Sequence, residues 1–363
     1  MVAEQVRYGL VGTGMMGAEH LSNLAITPGA VVTAIADPVE ASLGWARNAL
    51  GDRAAAVESF ADSAALARSG LVDAVIVASP NYTHRTVLEP LFDAGLAILC
   101  EKPLATTLDD ARWVVEQAER SSRPFWTAME YRYMPPAAEF IAQVHGGRVG
   151  QLRMLSIREH RFPFLPKVGD WNRFSRNTGG TMVEKCCHFF DLMRLIVRSE
   201  AVRVYCSGAM DVNHLDERYV GETPDIIDNS YTTVDFANGV RAMLDLSMFA
   251  DGAENQEEVT AVGDKARLDV LIPEGALVFS PRTGFLNPKQ VERQVVAVDE
   301  AALKAGSHHG STFYQHQHFI AAVRGDAPVQ VTARDGLMAV AIGTAAEISA
   351  REHRAVEMSE LGF

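Results

Sequence analysis

A glycine pair followed by a glutamate and a histidine has the spacing most suggestive of chemistry in this chain. The segment Gly179–Asp191 reads GGTMVEKCCHFFD, and its apolar continuation predicts a helix over residues 181–198. In a continuous helix Glu184 and His188 share one face, with Asp191 one turn further. A histidine accepts a proton near neutral pH, and a carboxylate one turn away can orient it or stabilise its charge. The segment therefore fits either acid–base chemistry or a helix start with a hydrogen-bonded core histidine.

A lysine stands between Glu101 and Pro103, directly after the predicted strand Ala97–Cys100. Ligands of open parallel sheets bind beyond the carboxyl ends of the strands. There Lys102 can donate a hydrogen bond to a reacting oxygen and stabilise developing negative charge, although the same spacing suits a surface lysine in a turn. The segment after the predicted strand Ala74–Ala78 ends at the same edge. Its candidate cofactor contacts, with Glu101 and Lys102, are Ser79, Pro80, Asn81 and His84.

Three glycines near the N-terminus have the spacing G-x-G-x-x-G. They follow the predicted strand Val6–Val11 and open a predicted helix, which is the context that a dinucleotide-binding turn requires. The first glycine permits the tight turn, the second lets the backbone approach the pyrophosphate, and the third lets helix and strand pack closely. The helix N-terminus then faces the phosphates. The predicted contacts are Gly12, Thr13, Gly14, Met15, Met16 and Gly17.

Asp37 ends the next predicted strand, about twenty residues after the glycines. A carboxylate at this place accepts hydrogen bonds from the adenosine ribose hydroxyls and repels a 2′-phosphate. Asp37 therefore favours NAD over NADP as the cofactor. The alternative is a simple glycine turn with an aspartate that caps the helix beginning after Pro38.

The elements that must position these residues alternate regularly over residues 1–128. Alternation of nearly continuous apolar strands with helices predicts a doubly wound parallel sheet, a Rossmann domain. The predicted strands are Val6–Val11, Val31–Ala36, Ala74–Ala78, Ala97–Cys100 and Pro124–Ala128, and the helices are Gly14–Leu24, Val39–Leu50, Thr83–Asp93 and Leu108–Arg120.

Residues 129–363 change to mostly strand-like runs and predict a second α/β domain with a large, mainly antiparallel open sheet. The pair Asn238-Gly239 predicts a hairpin in which both turn residues have positive φ, and Gly263-Asp264 predicts a second turn. Closing helices over Phe313–Arg324 and Asp335–Arg351 can pack back on the first domain. The remaining predictions are a helix over Pro136–Val144 and strands over Gln151–His160, Arg203–Ser207, Ser230–Phe236, Val240–Phe249, Glu258–Val262 and Ala266–Leu271.

Composition narrows the class of protein. The 363 residues carry 33 Lys and Arg against 46 Asp and Glu, a net charge of −13, which disfavours nucleic acid or an anionic membrane as partner. No apolar run approaches the roughly 20 residues that cross a bilayer, and the polar N-terminus does not resemble a signal peptide, so we expect a cytoplasmic protein. The four cysteines lack the paired spacing of a zinc site and are too few for a disulfide scaffold.

Together these motifs resemble the Gfo/Idh/MocA oxidoreductase family, which includes inositol and glucose–fructose dehydrogenases. The resemblance rests on the glycine turn, Glu101-Lys102-Pro103, and Gly179-Gly180 followed by His-x-x-Asp, and it spans nearly the whole chain. It implies a Rossmann domain joined to an α/β domain whose open sheet often serves oligomer formation. It also implies that Lys102 is the catalytic lysine and His188 the proton-transferring histidine.

Two positions depart from the family's pattern. Members usually carry aspartate four residues before that histidine, where this chain has Glu184, and a glycine between them, where it has Cys186. The extra methylene still permits a carboxylate partner for His188 but shifts the geometry of the site.

The expected function is NAD-dependent oxidation of a secondary hydroxyl of a sugar or cyclitol to a ketone by a homodimer or homotetramer. The alternatives are an NADPH-dependent ketosugar or aldose reductase, an NAD-using glycoside-cleaving enzyme and a non-catalytic sensor of the same family. No metal is expected, since the histidine-rich segment Ser307–His318 matches no zinc pattern. The candidate substrate contacts are Tyr131, Arg132, His160, Trp171, Arg173, Asn177, His188, His309 and Tyr314.

Overall fold

The computed structural model describes residues 5–363, and its first sheet is wholly parallel. The alternation of strands and helices predicted this parallel sheet, and its six strands lie in the order β3-β2-β1-β4-β5-β6. The strands are β1 (Val6–Val11), β2 (Ala30–Ala36), β3 (Glu58–Phe60), β4 (Ala74–Val77), β5 (Ala97–Glu101) and β6 (Phe125–Ala128), and the helices are α1 (Met15–Ile26), α2 (Glu40–Leu50), α3 (Ser63–Arg68), α4 (His84–Asp93) and α5 (Leu108–Arg120).

Both faces of this sheet are covered, which explains the continuous apolar strands. Neighbours along β4 point to opposite sides, so that Val75 and Ile76 belong to different core clusters. Neither β3 nor α3 was predicted. They are three and six residues long, too short for a hydrophobic period to stand out.

The second sheet has nine strands in the order β14-β13-β12-β11-β7-β10-β9-β8-β15 and is antiparallel except where β7 meets β10. Its strands are β7 (Leu152–His160), β8 (Ala201–Ala209), β9 (Asn229–Phe236), β10 (Arg241–Ser247), β11 (Glu257–Gly263), β12 (Ala266–Ile272), β13 (Ala276–Pro281), β14 (Glu292–Val295) and β15 (Val356–Glu357). The helices are α6 (Pro135–His145), α7 (Ser175–Thr178), α8 (Thr181–Glu184), α9 (Cys187–Val197), α10 (Glu300–Ala305), α11 (Ser311–Arg324) and α12 (Ala333–Glu352).

Helices cover one face of the second sheet and join it to the first. Alternate residues of β11 are buried, as expected for a sheet with one covered face. Helix α12 packs against both β8 and α5, and α11 packs against α1, so the closing helices contact both halves of the chain. Within residues 5–363 no helix has the length and apolar character to cross a membrane.

The predicted continuous helix over residues 181–198 is wrong. Helix α8 ends at Glu184 and α9 begins at Cys187, because the Cys186 N–H bonds back to the Thr181 carbonyl and the Phe189 N–H to the Cys186 carbonyl. Between the two helices the Lys185 ammonium reaches the Glu159 carboxylate at 2.9 Å. Glu184 and His188 therefore lie on two separate helices and not on one face of a continuous helix.

The hairpin between β9 and β10 is present, with one correction. Gly239 has a φ of +83°, as predicted, whereas Asn238 does not have a positive φ. Instead, the Asn238 side-chain oxygen accepts the Val240 N–H at 3.1 Å, and its amide donates to the Val197 carbonyl. A side-chain hydrogen bond thus replaces the second positive φ.

A buried ion pair joins the segment that carries Arg132 to α9 and α12. The Arg132 Nε donates to Asp191 of α9 at 2.5 Å, and its second arm makes a further short contact with the same carboxylate. Asp335 of α12 lies 3.7 Å from Arg132 and 3.0 Å from Arg194. Arg132 was predicted to contact substrate, and the structure instead places its guanidinium between α9 and α12.

We expect Arg132→Met to lower the free energy of unfolding by about 3–5 kcal/mol, because Asp191 would be left as an unpaired buried charge. Urea denaturation at pH 7 measures this. The matched control is Arg203→Met, which removes an exposed pair with Asp235 and should change stability little. Equal losses in the two variants would contradict the structural role of Arg132.

Candidate active site

The glycine turn leaves space at its middle glycine. Gly12 has a φ of +88°, and a Cβ there would lie 2.4 Å from the Ser79 nitrogen, while one on Gly17 would lie 2.3 Å from the Gly12 oxygen. A Cβ on Gly14, by contrast, meets no atom within 4 Å. Gly14 is also the N-cap of α1, with no side chain capping the helix and no acidic residue in its first turn. The turn thus fits a dinucleotide phosphate at Gly14.

Asp37 lies at the end of β2, beside the glycine turn. One carboxylate oxygen accepts the Thr13 backbone N–H at 2.8 Å and the Thr13 hydroxyl at 3.1 Å. The other accepts the Val39 N–H at 2.9 Å, at the start of α2. The carboxylate therefore serves the helix start and also holds the position predicted for a ribose contact.

Two polar residues of the segment after β4 are buried. The buried His84 ring bridges the Ser79 and Leu104 carbonyls, at 3.2 and 3.3 Å, and so joins the loops after β4 and β5. Asn81 is also buried, and its amide nitrogen has no hydrogen-bond partner among the described residues. Of the predicted cofactor contacts after β4, Asn81 retains an unused donor, while the His84 ring is engaged by backbone.

Glu101 is fixed by two histidines that the sequence analysis did not single out. Its Oε1 lies 2.9 Å from His20 Nε2, and His20 Nδ1 lies 3.0 Å from His316 Nε2. Burial raises the pKa of Glu101, but the hydrogen bond and charge of His20, together with Lys102, outweigh it and hold the pKa below its usual value. The other carboxylate oxygen accepts the Lys102 N–H at 3.1 Å, so this cluster positions the Lys102 backbone.

Lys102 reaches from the end of β5 to the second half of the chain. Its Nζ donates to the Glu184 carbonyl at 3.2 Å. Desolvation alone would lower the pKa of Lys102, but the Cys187 thiol and the nearby carboxylates, Glu130 foremost among them, raise it above its usual value. Lys102 therefore stays protonated and can donate a hydrogen bond to an oxygen.

His188, in the first turn of α9, is buried and neutral near pH 7. Its ring stacks on Tyr131 at a centroid distance of 4.0 Å and an interplanar angle of 8°. Desolvation and then the charge of Lys102 lower the pKa of His188 well below its usual value. Its Nε2 lies 3.6 Å from Glu130 Oε1, while Nδ1 has no partner among the described residues. A neutral imidazole near a lysine ammonium is suited to accept a proton from an alcohol.

Glu184 was expected to be the carboxylate beside His188, and the structure places it differently. Its Oε1 lies 4.0 Å from Lys167 Nζ, and burial raises its pKa above the usual value. Lys167 in turn lies over the Trp171 ring at 5.0 Å, which packs edge-on against Tyr82. Trp171 is thus brought near Glu184 as a candidate substrate contact, together with Lys167 and Tyr82, which the sequence analysis missed.

Other predicted substrate contacts are engaged elsewhere. Arg173 pairs with Glu217 at 2.9 Å, and the Asn177 amide donates to the Trp171 carbonyl. His160 pairs with Asp245 and follows the buried Glu159 on β7, so it points to the face of the sheet opposite the covering helices.

His309 lines a cavity of about 190 Å³ that His160 also lines. Tyr314 packs on Phe313.

A second cavity, of about 770 Å³, lies between the start of α5, α7 and α12. Its lining includes Thr107, Arg176 and Glu347 but not Lys102, Glu184 or His188. Active sites are marked by groups whose pKa values are shifted by burial and by each other, and those converge around Lys102 and His188. The candidate site is therefore the Lys102–His188 cluster rather than this cavity.

Comparisons with known proteins agree with the geometry. A family model described as "Oxidoreductase family, NAD-binding Rossmann fold" matches residues 6–129. A second, described as "Oxidoreductase family, C-terminal alpha/beta domain", matches residues 141–358.

Relatives match along nearly their whole lengths. The chain is 26% identical to a myo-inositol 2-dehydrogenase of Thermotoga maritima, over 98% of this chain and 99% of that protein. It is 24% identical to an inositol 2-dehydrogenase of Rhizobium meliloti, again over 98% and 99%. A levoglucosan dehydrogenase solved with NADH superposes with a TM-score of 0.83 at 19% identity, covering 98% of this chain and 99% of that one. At that identity the last match shows the fold alone.

We expect Gly14→Ala to weaken NADH binding about tenfold or more while changing the free energy of unfolding by less than about 1 kcal/mol. The added methyl group enters the space at the turn without touching protein atoms. Fluorescence titration with NADH and thermal unfolding without it give the two values.

Gly12→Ala is the matched control, because its methyl group would clash with the backbone at Ser79 and should destabilise the fold itself. A Gly14→Ala protein that binds NADH as well as the wild type would show that the phosphates do not approach this turn.

Proposed function

The chain belongs to the Gfo/Idh/MocA oxidoreductase family, and we propose that it oxidises a secondary hydroxyl of a sugar or cyclitol to a ketone with NAD. The observation that carries this proposal is a protonated Lys102 beside a neutral, buried His188 with an unpartnered ring nitrogen. The substrate class is supported by the relatives that are named inositol dehydrogenases.

Alcohol oxidation removes a proton from the hydroxyl and a hydride from the carbon. When bound, the nicotinamide ring supplies the hydride acceptor. The protein must accept the hydroxyl proton and stabilise the negative charge that develops on the oxygen. The imidazole of His188 takes the hydroxyl proton, and the Lys102 ammonium donates a hydrogen bond to the oxygen as negative charge develops there. Glu184 and Trp171, near Lys167, offer a carboxylate acceptor and a ring face for the remaining hydroxyls of a polyol.

The residues that would hold the cofactor are the glycine turn and Asp37. Backbone at Gly14 and the start of α1 would contact the pyrophosphate, since no side chain occupies that space. Asp37 favours NAD because its carboxylate stands beside the turn, where it would repel the 2′-phosphate of NADP.

We expect a homodimer or homotetramer formed through the open face of the nine-stranded sheet. This face carries exposed apolar and aromatic side chains on β7 to β10, namely Met154, Tyr205, Tyr231 and Met243. Light scattering should give a mass of two or four chains, and Tyr231→Lys should lower it by placing charge on this face. A monomeric wild-type protein would contradict the proposal.

The Lys102→Ala variant should lose turnover by a factor on the order of 10² or more, while NADH binding stays close to wild type. Absorbance at 340 nm, followed with inositols, aldoses, anhydrosugars and glycosides, measures NADH formation. The same panel with NADP tests the cofactor preference. The control variant is Lys304→Ala, an exposed lysine on α10.

Unchanged turnover in Lys102→Ala would remove this lysine from the mechanism. A clear preference for NADP would overturn the role given to Asp37. No NADH formation across the panel, despite NADH binding, would contradict the proposed dehydrogenase activity.

A further inference from the structure

Glu130 is a buried carboxylate without a role in the mechanism above. It follows β6 in the short turn Glu130–Tyr133 and is 1% exposed. Neither of its oxygens has a hydrogen-bond partner among the described residues. A carboxylate in such a place costs free energy unless it is paired or neutral, so its position calls for a functional explanation.

The basic side chain nearest to Glu130 is that of the candidate proton acceptor, His188. Its Oε1 lies 3.6 Å from His188 Nε2, slightly beyond a formed hydrogen bond. Such contacts commonly tighten when substrate binds, and a small side-chain rotation is enough here. Glu184, by comparison, directs its carboxylate toward Lys167.

The His188 ring is fixed in the orientation that this contact needs. The ring lies flat on Tyr131, whose hydroxyl accepts a hydrogen bond from Lys185 at 2.7 Å. Lys185 is held by Glu159 at 2.9 Å on the covered face of the second sheet. With the ring plane fixed, Nε2 faces Glu130 and Nδ1 remains without a partner in the described part of the chain.

We propose that Glu130, rather than Glu184, is the positioning residue of His188: it accepts a hydrogen bond from Nε2–H and leaves Nδ1 to take the substrate proton. This inference rests on the proposed function. During oxidation the substrate O–H bond breaks and an Nδ1–H bond forms. The electron pair of the O–H bond becomes the second bond of the carbonyl as the hydride leaves for NAD. Nε2 keeps its own proton, and the Glu130 carboxylate stabilises the imidazolium.

The pair has a defined pH dependence. Burial and then the charge of Glu101 raise the pKa of Glu130 to about 7, against the opposing charges of His308 and Lys102. Oxidation needs an ionised Glu130 and a neutral His188, so its rate rises with pH through about 7. Ketone reduction needs the extra proton, so its rate falls over the same range.

His308 is a neighbouring charge of Glu130 that can also titrate near this range. Burial lowers its pKa, but its hydrogen bond to Glu19 at 2.7 Å outweighs this and raises the pKa above the usual value. A variant at His308 must therefore be compared with one at Glu130.

The test measures kcat and KM between pH 5.5 and 9 with the substrate found in the panel. We expect Glu130→Gln to lower kcat about tenfold or more, to leave KM within about threefold, and to lose the transition near pH 7, because general acid–base assistance contributes about 10²–10⁴. Glu130→Asp should recover part of kcat together with the transition. His308→Gln should keep the transition.

Glu347→Gln is the matched control. Glu347 is also a largely buried carboxylate whose pKa burial raises to about 7, and glutamine retains the acceptor that binds the Met182 N–H. It lines the separate cavity near α12, so its replacement should leave the pH profile unchanged. Loss of the transition in Glu347→Gln, or its retention in Glu130→Gln, would overturn the proposal.

A second measurement needs no substrate. In ¹⁵N-labelled protein the His188 ring signals should show a proton on Nε2 and a shift with a midpoint near pH 7 that Glu130→Gln abolishes. His188 signals that are identical in the wild type and Glu130→Gln would overturn the proposal. If no compound in the panel is oxidised but the His188 shift behaves as expected, the proposed function fails and the pairing with Glu130 stands.

Discussion

The charge on the Lys102 ammonium must survive in a largely desolvated space, and the structure around it supplies the means. Desolvation disfavours a buried ammonium, and here Cys187 and the carboxylates of Glu130, Glu101 and Glu184 outweigh that effect. Burial lowers the pKa of His188, and the charge of Lys102 lowers it further, so the imidazole stays neutral. Burial and charge together thus provide a protonated donor to the oxygen and a neutral acceptor for the proton.

This arrangement requires both halves of the chain. Lys102 comes from the end of β5, where His20 and His316 hold Glu101 and hence the lysine backbone. His188 begins α9 of the second half. The two are kept in register by α12, which packs on α5 and on β8, and by the buried pair of Arg132 and Asp191. Changes far from the site, in the closing helices, would therefore alter the geometry between donor and acceptor.

Sequence patterns predicted the features that depend on local spacing and periodicity. They failed where a contact between residues distant in sequence determines the local geometry. The glycine turn, the parallel strands and the placement of Lys102 at a strand end follow from spacing. The relation of Glu184 to His188 does not, because the tertiary pair of Lys185 with Glu159 accompanies a break in the helix between them. Glu130 had no local pattern at all, since a lone carboxylate after a strand has many uses. Only its burial beside His188 distinguishes it.

The break in the helix also bears on the substrate. Family members usually carry aspartate where this chain has Glu184, and here the Glu184 carboxylate faces Lys167, which in turn lies over the Trp171 ring. With Glu130 serving the histidine, Glu184 is left available to accept hydrogen bonds from substrate hydroxyls beside an aromatic face. One carboxylate, Glu130, would then position His188, and another, Glu184, would bind substrate hydroxyls. The wall beside Lys102 and His188 therefore differs from one built with the family's usual aspartate, and the lysine and histidine alone do not define the substrate.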